Sequence, residues 1–160
     1  MIRRRLLSLA VLELVNIPLF AFALFGVLGA PASPANLAGF GVFALLLAEG
    51  SAYWWLKLRQ TAGGGRTPAG MAVFRVLRWI NVALFALTGA LVAVTVVEGG
   101  HWTRAAVGVA LGLFAIVEHV NYFHVQLMHD TRADLGRLLR TRRPRRSHLA
   151  RDLARTARRP

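Results

Sequence analysis

The chain has 160 residues, of which 56% are hydrophobic, a mean hydropathy of +0.49, and 20 Lys+Arg against 7 Asp+Glu. A soluble domain of this length has too little interior to hide that much apolar side chain, so the composition excludes an ordinary soluble fold and points to the membrane. Cysteine is absent, which excludes disulfides, thiolate metal sites and thiol redox chemistry.

Arg3, Arg4 and Arg5 precede the first apolar segment, Leu6 to Leu28. Its 23 residues exceed the ~7–15 of a signal-peptide core and suffice to span a bilayer, so a retained helix is expected even though Ala30-Pro31-Ala32 imitates a cleavage site. Glu13, Asn16 and Pro18 interrupt its first half. A connector with Pro31 and Pro34 breaks the helix. The second segment, Leu37 to about Leu58, ends in Tyr53, Trp54, Trp55, Lys57 and Arg59, the aromatic and cationic finish of a membrane interface. Gln60 to Gly70 is a Gly-rich connector, and the third segment runs from about Met71 to Val97 with Arg75, Arg78 and Asn81 near its start. After a short turn, the fourth runs from about Arg104 to Met128. In it Gly108 and Gly112 have the small-x-x-x-small spacing that lets another helix approach closely, the face expected to form an oligomer.

The fold expected is therefore all-α: an integral membrane four-helix bundle over residues 1–129, followed by a basic tail, 130–160, that holds 11 of the 20 cations. With the N-terminus in the cytoplasm, 19 of the 20 Lys+Arg lie inside and only Arg104 outside, which predicts an N-in/C-in protein of the bacterial-type inner membrane. Two similarities suggest duplication. Glu49-Gly-Ser-Ala-Tyr-Trp matches Glu118-His-Val-Asn-Tyr-Phe, and Asn16-Ile-Pro-Leu-Phe-Ala matches Asn81-Val-Ala-Leu-Phe-Ala. The halves, about 5–60 and 70–129, then read as two tandem helical hairpins in a parallel 2+2 repeat.

Residues three and four apart share a helix face, so Glu118, Asn121, Tyr122 and Gln126 form one polar stripe and Glu49, Tyr53 and Lys57 its counterpart. Glu13 with Asn16 and Arg78 with Asn81 supply the first and third segments, and Arg78 is the expected counter-charge of Glu13. Counted from the segment ends, Glu118 and Glu49 are about 15 and 13 Å deep, too far for a short side chain to reach water. A charge at the bilayer centre costs roughly 2.5–3.5 kcal/mol, and three of the four glutamates lie in apolar segments, so they should face the bundle interior or a wet cavity. Two uses fit: polar contacts that fix helix register, or a proton or cation site built on Glu49 and Glu118.

Neither a catalytic motif nor a cofactor or metal site is expected. His119, His124 and His129 recur every five residues, about 140° per step, and do not converge on one face. In the tail, Leu135, Leu138, Leu139 and Leu149, Leu153 have helical spacing on either side of Pro144, which predicts two short basic amphipathic helices. Arg140, Arg142, Arg143, Arg145 and Arg146 would meet anionic lipid headgroups at about 1 kcal/mol each. Nucleic acid is a poorer partner because no aromatics are interleaved for stacking. In Glu13 and in span count the chain resembles the small multidrug exporters. It departs from them in its greater length, its paired Glu-x-x-x-Tyr motifs and its arginine tail. The leading expectation is a non-enzymatic structural or interaction protein with a lipid-binding tail, and a second copy or another membrane protein as partner. The alternative is a small proton- or cation-coupled transporter.

Overall fold

The computed structural model describes residues 2–98, 101–126 and 146–157. The described residues are helical apart from connectors and one isolated antiparallel bridge, Val125 to Arg146. The order is α1 (Ile2–Ala21, continued by a π-helical turn over Phe22–Val27), α2 (Pro34–Gly63), α3 (Met71–Val97), α4 (Thr103–Phe123) and α5 (His148–Ala157). The first four are long and apolar enough to cross a membrane, so this is a membrane protein.

Local chemistry sets the boundaries. Pro18 lies inside α1 and has no N–H to give the ladder. Downstream the hydrogen bonds widen, with Leu28 N donating to the Ala23 carbonyl at 2.9 Å. Ser33 caps α2, its Oγ accepting from Asn36 N at 3.2 Å, with Pro34 at the first helical position. At the other end of α2, Gly64 takes a left-handed conformation, φ 68°.

α2 is the central helix. Over half (56%) of its most apolar 18-residue stretch is buried, against 6% in α1 and 11% in α3. α1, α3 and α4 all pack on it, and α4 also packs on α3. One core, in the middle of the bundle, joins Val42, Phe43, Leu46 and Leu47 of α2 to Leu111 and Ala115 of α4. A second joins Tyr53, Met71, Phe74 and Phe123 to Leu149 of α5. The tail helix α5 is thus packed on the bundle rather than free of it.

α2 and α4 come closest at their N-terminal halves. A Cβ on Gly108 would overlap the Ala35 carbonyl, and one on Gly39 would overlap the Gly108 backbone. Asn36, fully buried, threads this contact: its Oδ1 accepts from Gly108 N at 2.8 Å and its Nδ2 donates to Pro31 O at 2.9 Å and Thr103 O at 3.2 Å. Ser33 Oγ donates to the Arg104 carbonyl beside it. Gly112 faces α3 instead, where a Cβ would meet Thr88 Cγ2 at an ordinary 3.8 Å. The small-residue face of α4 is thus occupied by helices of the same chain.

Three expectations are corrected. α4 ends at Phe123, five residues short of Met128, so Gln126 lies beyond the helix and is not the next step of its stripe. α2 runs to Gly63, about 45 Å, well past a hydrocarbon core of about 30 Å. Glu49 and Glu118 each lie fifteen residues into their helices (49 minus 34; 118 minus 103), about 22 Å from one end. α2 also starts at Pro34, three residues before the expected Leu37, because Pro34 opens the helix instead of breaking it.

Candidate functional site

α1 leans on α2 but barely touches α4. Between α1 and α4, with α2 as its floor, lies a cleft of about 680 Å³. Such a volume falls in the range of small-ligand sites. Its walls are mainly apolar, including Leu9, Leu12 and Phe20 of α1, Phe43 and Leu47 of α2, and Phe114 of α4. Into this apolar space project Glu13, Asn16, Glu49, Tyr53, Glu118, Asn121, Tyr122 and Gln126, eight of the ten polar residues singled out in the sequence. Arg78 and Asn81 are not in its lining, because α3 lies on the far side of α2 and α4.

Each carboxylate in the cleft has a neutral donor. Tyr122 OH donates to Glu13 Oε1 at 2.6 Å, Asn81 Nδ2 reaches Glu49 Oε2 at 2.8 Å from behind α2, and Asn121 Nδ2 donates to Glu118 Oε2 at 3.3 Å within α4. The Tyr122 phenol reaches α1 by crossing α2 at Gly50, where a Cβ would stand 2.5 Å from the hydroxyl. The expected Arg78–Glu13 pair is not formed. Glu13 is engaged by Tyr122, and the Arg78 guanidinium lies 5.5 Å from the centroid of the neighbouring Trp79 ring. Among the described residues no cation comes within ion-pair distance of Glu13, Glu49 or Glu118.

On the α3 side, His119 of α4 is 5% exposed and stacks between Phe85, 5.4 Å between centroids, and Phe123, 4.7 Å. His124, just past α4, is held below the ordinary imidazole range, by burial first and then by the Arg78 charge. No group of three or more metal-ligating side chains occurs among the described residues.

The cleft is closed at one end by the start of the tail helix. Ser147, His148 and Leu149 line it there. Ser147 caps α5, accepting from Ala150 N at 3.1 Å, and its hydroxyl donates to the Tyr122 carbonyl. His148 stacks near Trp54, 6.0 Å between centroids. Asp152, 2% exposed, accepts from Tyr53 OH at 2.8 Å and from Lys57 Nζ at 2.7 Å. Sequence reasoning missed Asp152, Asn36, Ser51 and Gly50. Asp152 had a signal, because it shares a face with Leu149 and next to Leu153 in an otherwise cationic stretch. Ser51, whose Oγ donates to the Ala10 carbonyl at 2.8 Å, and Gly50 had none beyond their place in the motif. Among the lipid-headgroup residues, Arg140, Arg142, Arg143 and Arg145 lie outside the described residues, and Arg146 is exposed beside the bridge to Val125.

Fold and site together define a small α-helical membrane protein with an acidic, mostly apolar cleft between two of its spans. Comparison with known protein families, with curated proteins and with solved structures found no match for the chain.

Proposed function

We propose that this protein is a small carrier that binds protons or a cation at the carboxylates of the α1–α4 cleft. The observation that supports it is that three carboxylates share one cleft and, among the described residues, each is hydrogen-bonded by a neutral donor and none is ion-paired; of the two cations in the lining, Arg5 and Lys57, the latter is paired with Asp152. An ionised carboxylate in a low-dielectric site is costly unless a cation or a proton joins it, so such a cluster attracts one or the other. Glu49 and Glu118, at equal depth on the two best-packed helices, are the central pair. Glu13 extends the site onto α1, which packs mainly on α2. Both termini cytoplasmic, in an inner membrane of bacterial type, and descent from two tandem hairpins belong to the same reading, which the cation distribution and the paired motifs support.

The test is proton uptake into proteoliposomes under an imposed potassium diffusion potential, read with a lumenal pH dye. Wild-type protein should accelerate uptake, and Glu49→Gln with Glu118→Gln should abolish the acceleration. Equal uptake by wild type and the double variant sinks the reading.

A second reading has its own support. Asn36, Ser51 and Asn81 bond from one helix to the next, and α5 seats on the bundle by Asp152, as a structural or interaction protein with a lipid-facing basic tail would need. Under it the glutamates hold helices together. The same double variant should then lose stability in detergent, and vesicles containing anionic lipid should retain the protein's tail more strongly than neutral ones.

A further inference from the structure

Two oxygen atoms at the contact between α2 and α3 lack a donor. Asn81 Nδ2 donates to Glu49 Oε2 at 2.8 Å, while the second oxygen of each group, Glu49 Oε1 and Asn81 Oδ1, is buried without a hydrogen-bond partner. Asn81 is 0% exposed and Glu49 5%. The two orphans therefore belong to one bonded pair, and with the carboxyl ionised both are acceptors only. Buried acceptors of this kind are rare because each forfeits its bonds to water.

The groups around the pair do not supply the donor. From α1 Glu13 faces the cleft, and it is an acceptor already bonded to Tyr122. On α2 itself the Tyr53 hydroxyl is given to Asp152. From α3 Arg78 turns to Trp79. On α4 Glu118 takes Asn121, Tyr122 is spent on Glu13, and the buried Nδ1 of His119 makes no hydrogen bond to either oxygen. One proton satisfies both atoms. A carboxylic acid offers one donor and one acceptor, as does the facing edge of a carboxamide, so the two close a ring in which N–H meets the carboxyl oxygen and O–H meets the amide oxygen.

We propose that Glu49 is held as the neutral acid, its Oε1–H donating to Asn81 Oδ1, so that Glu49 and Asn81 together form a proton-binding site inside the bundle. Glu49 also lines the cleft, so water entering it is the source of the proton, and the hydroxide equivalent stays in solution. The inference rests on the carrier reading for its use and deepens it. Glu49 holds the proton, and Glu118 with Glu13 is left to meet a cation in the cleft.

Glutamine is the neutral mimic of the acid, because its carbonyl accepts from Asn81 Nδ2 and its amide donates to Asn81 Oδ1. The full chain in phosphatidylcholine–phosphatidylglycerol vesicles should show, at neutral pH, an infrared carbonyl stretch of a protonated carboxyl. Glu49→Gln should lose that band and keep the wild-type thermal midpoint. Asn81→Val should shift the band, and Glu118→Gln should leave the Glu49 component in place. Absence of the band from wild type, or its survival in Glu49→Gln, overturns the proposal, and a water bridging an ionised Glu49 to Asn81 would give that result. Failure of Glu49→Gln to fold overturns it as well, since the mimic of the neutral acid must fit. The carrier reading fails separately: an intact band with proton uptake that Glu49→Gln and Glu118→Gln together do not change removes the carrier and keeps the pair. Uptake lost in the double variant without any acid band removes the pair and keeps the carrier.

Discussion

Tyr122 shows how much one side chain spans. It starts on α4, crosses α2 at Gly50 and ends on Glu13 of α1, the direct polar contact across the mouth of the cleft. Tyr122→Phe keeps the ring and deletes only that bond. Hydrogen bonds between membrane helices average about 0.6 kcal/mol and reach about 1.7, so a loss in this range is expected in reversible unfolding in detergent micelles. Gly50→Ala should cost more, because the new methyl displaces the phenol itself as well as the bond, by about 1–3 kcal/mol. The reverse ranking would show that Tyr122 does not pass over Gly50. Of these three residues the sequence marks two. Glu13 and Tyr122 stand out as polar groups in apolar runs, but spacing along a helix says only which residues share a face. It does not say which helix that face meets, and for that reason Arg78 was paired with Glu13 although α3 and α1 lie on different sides of the bundle.

Among the elements, α4 and α5 carry the sharpest contrasts. Gly108 and Gly112 read alike in the sequence, yet the structure separates them. A methyl at 108 meets the Ala35 backbone, which has nowhere to go, and a methyl at 112 only touches a threonine methyl. Gly108→Ala should therefore destabilise by about 1–3 kcal/mol or prevent folding, while Gly112→Ala should change the unfolding midpoint little. α2 starts three residues before the expected Leu37, at Pro34, which opens the helix behind the Ser33 cap instead of breaking it. The spans themselves were legible, and α3 has the predicted limits. The end of α4 was not, because the apolar and polar pattern continues through Gln126 after the helical ladder has stopped at His124. Nor was the seating of α5. An acid among arginines reads as part of a solvated tail, and only the tertiary contact turns Asp152 into the acceptor for Tyr53 and Lys57. Asp152→Asn weakens two bonds to a charged group, about 1.5–3 kcal/mol in all. Since 1.4 kcal/mol is tenfold, amide hydrogen exchange across His148–Ala157 should quicken roughly ten- to a hundredfold with little change in α2 and α4. An unchanged exchange rate would mean that Leu149 and Leu153 alone hold the helix down.

At the scale of the whole molecule the charges and the packing make one argument about orientation. The connector over 28–33 and residues 101–102 before α4 lie at one end of the bundle, and neither 28–33 nor the sequence 98–102 holds Lys or Arg, while the connector over 64–70, the start of α1 and all of α5 lie at the other. Moving Arg3 to Arg5, Arg66 and the tail arginines through a bilayer would be far costlier than moving Arg104 alone, so the proposed orientation keeps the basic end on the side of synthesis. The length of α2 fits that orientation, because its 30 residues exceed what a hydrocarbon core of about 30 Å needs, and its C-terminal part, with Tyr53 and Trp54, packs on α5. The chain contains no cysteine, so a single introduced thiol reports its own side without background. Ala32→Cys and His101→Cys, both at exposed positions, should react with a membrane-impermeant maleimide in intact cells. Ala69→Cys, exposed in the α2–α3 connector, should react only after the membrane is opened. The opposite pattern would invert the protein, put α5 and the start of α1 on the outer side, and end the proposal that both termini are cytoplasmic.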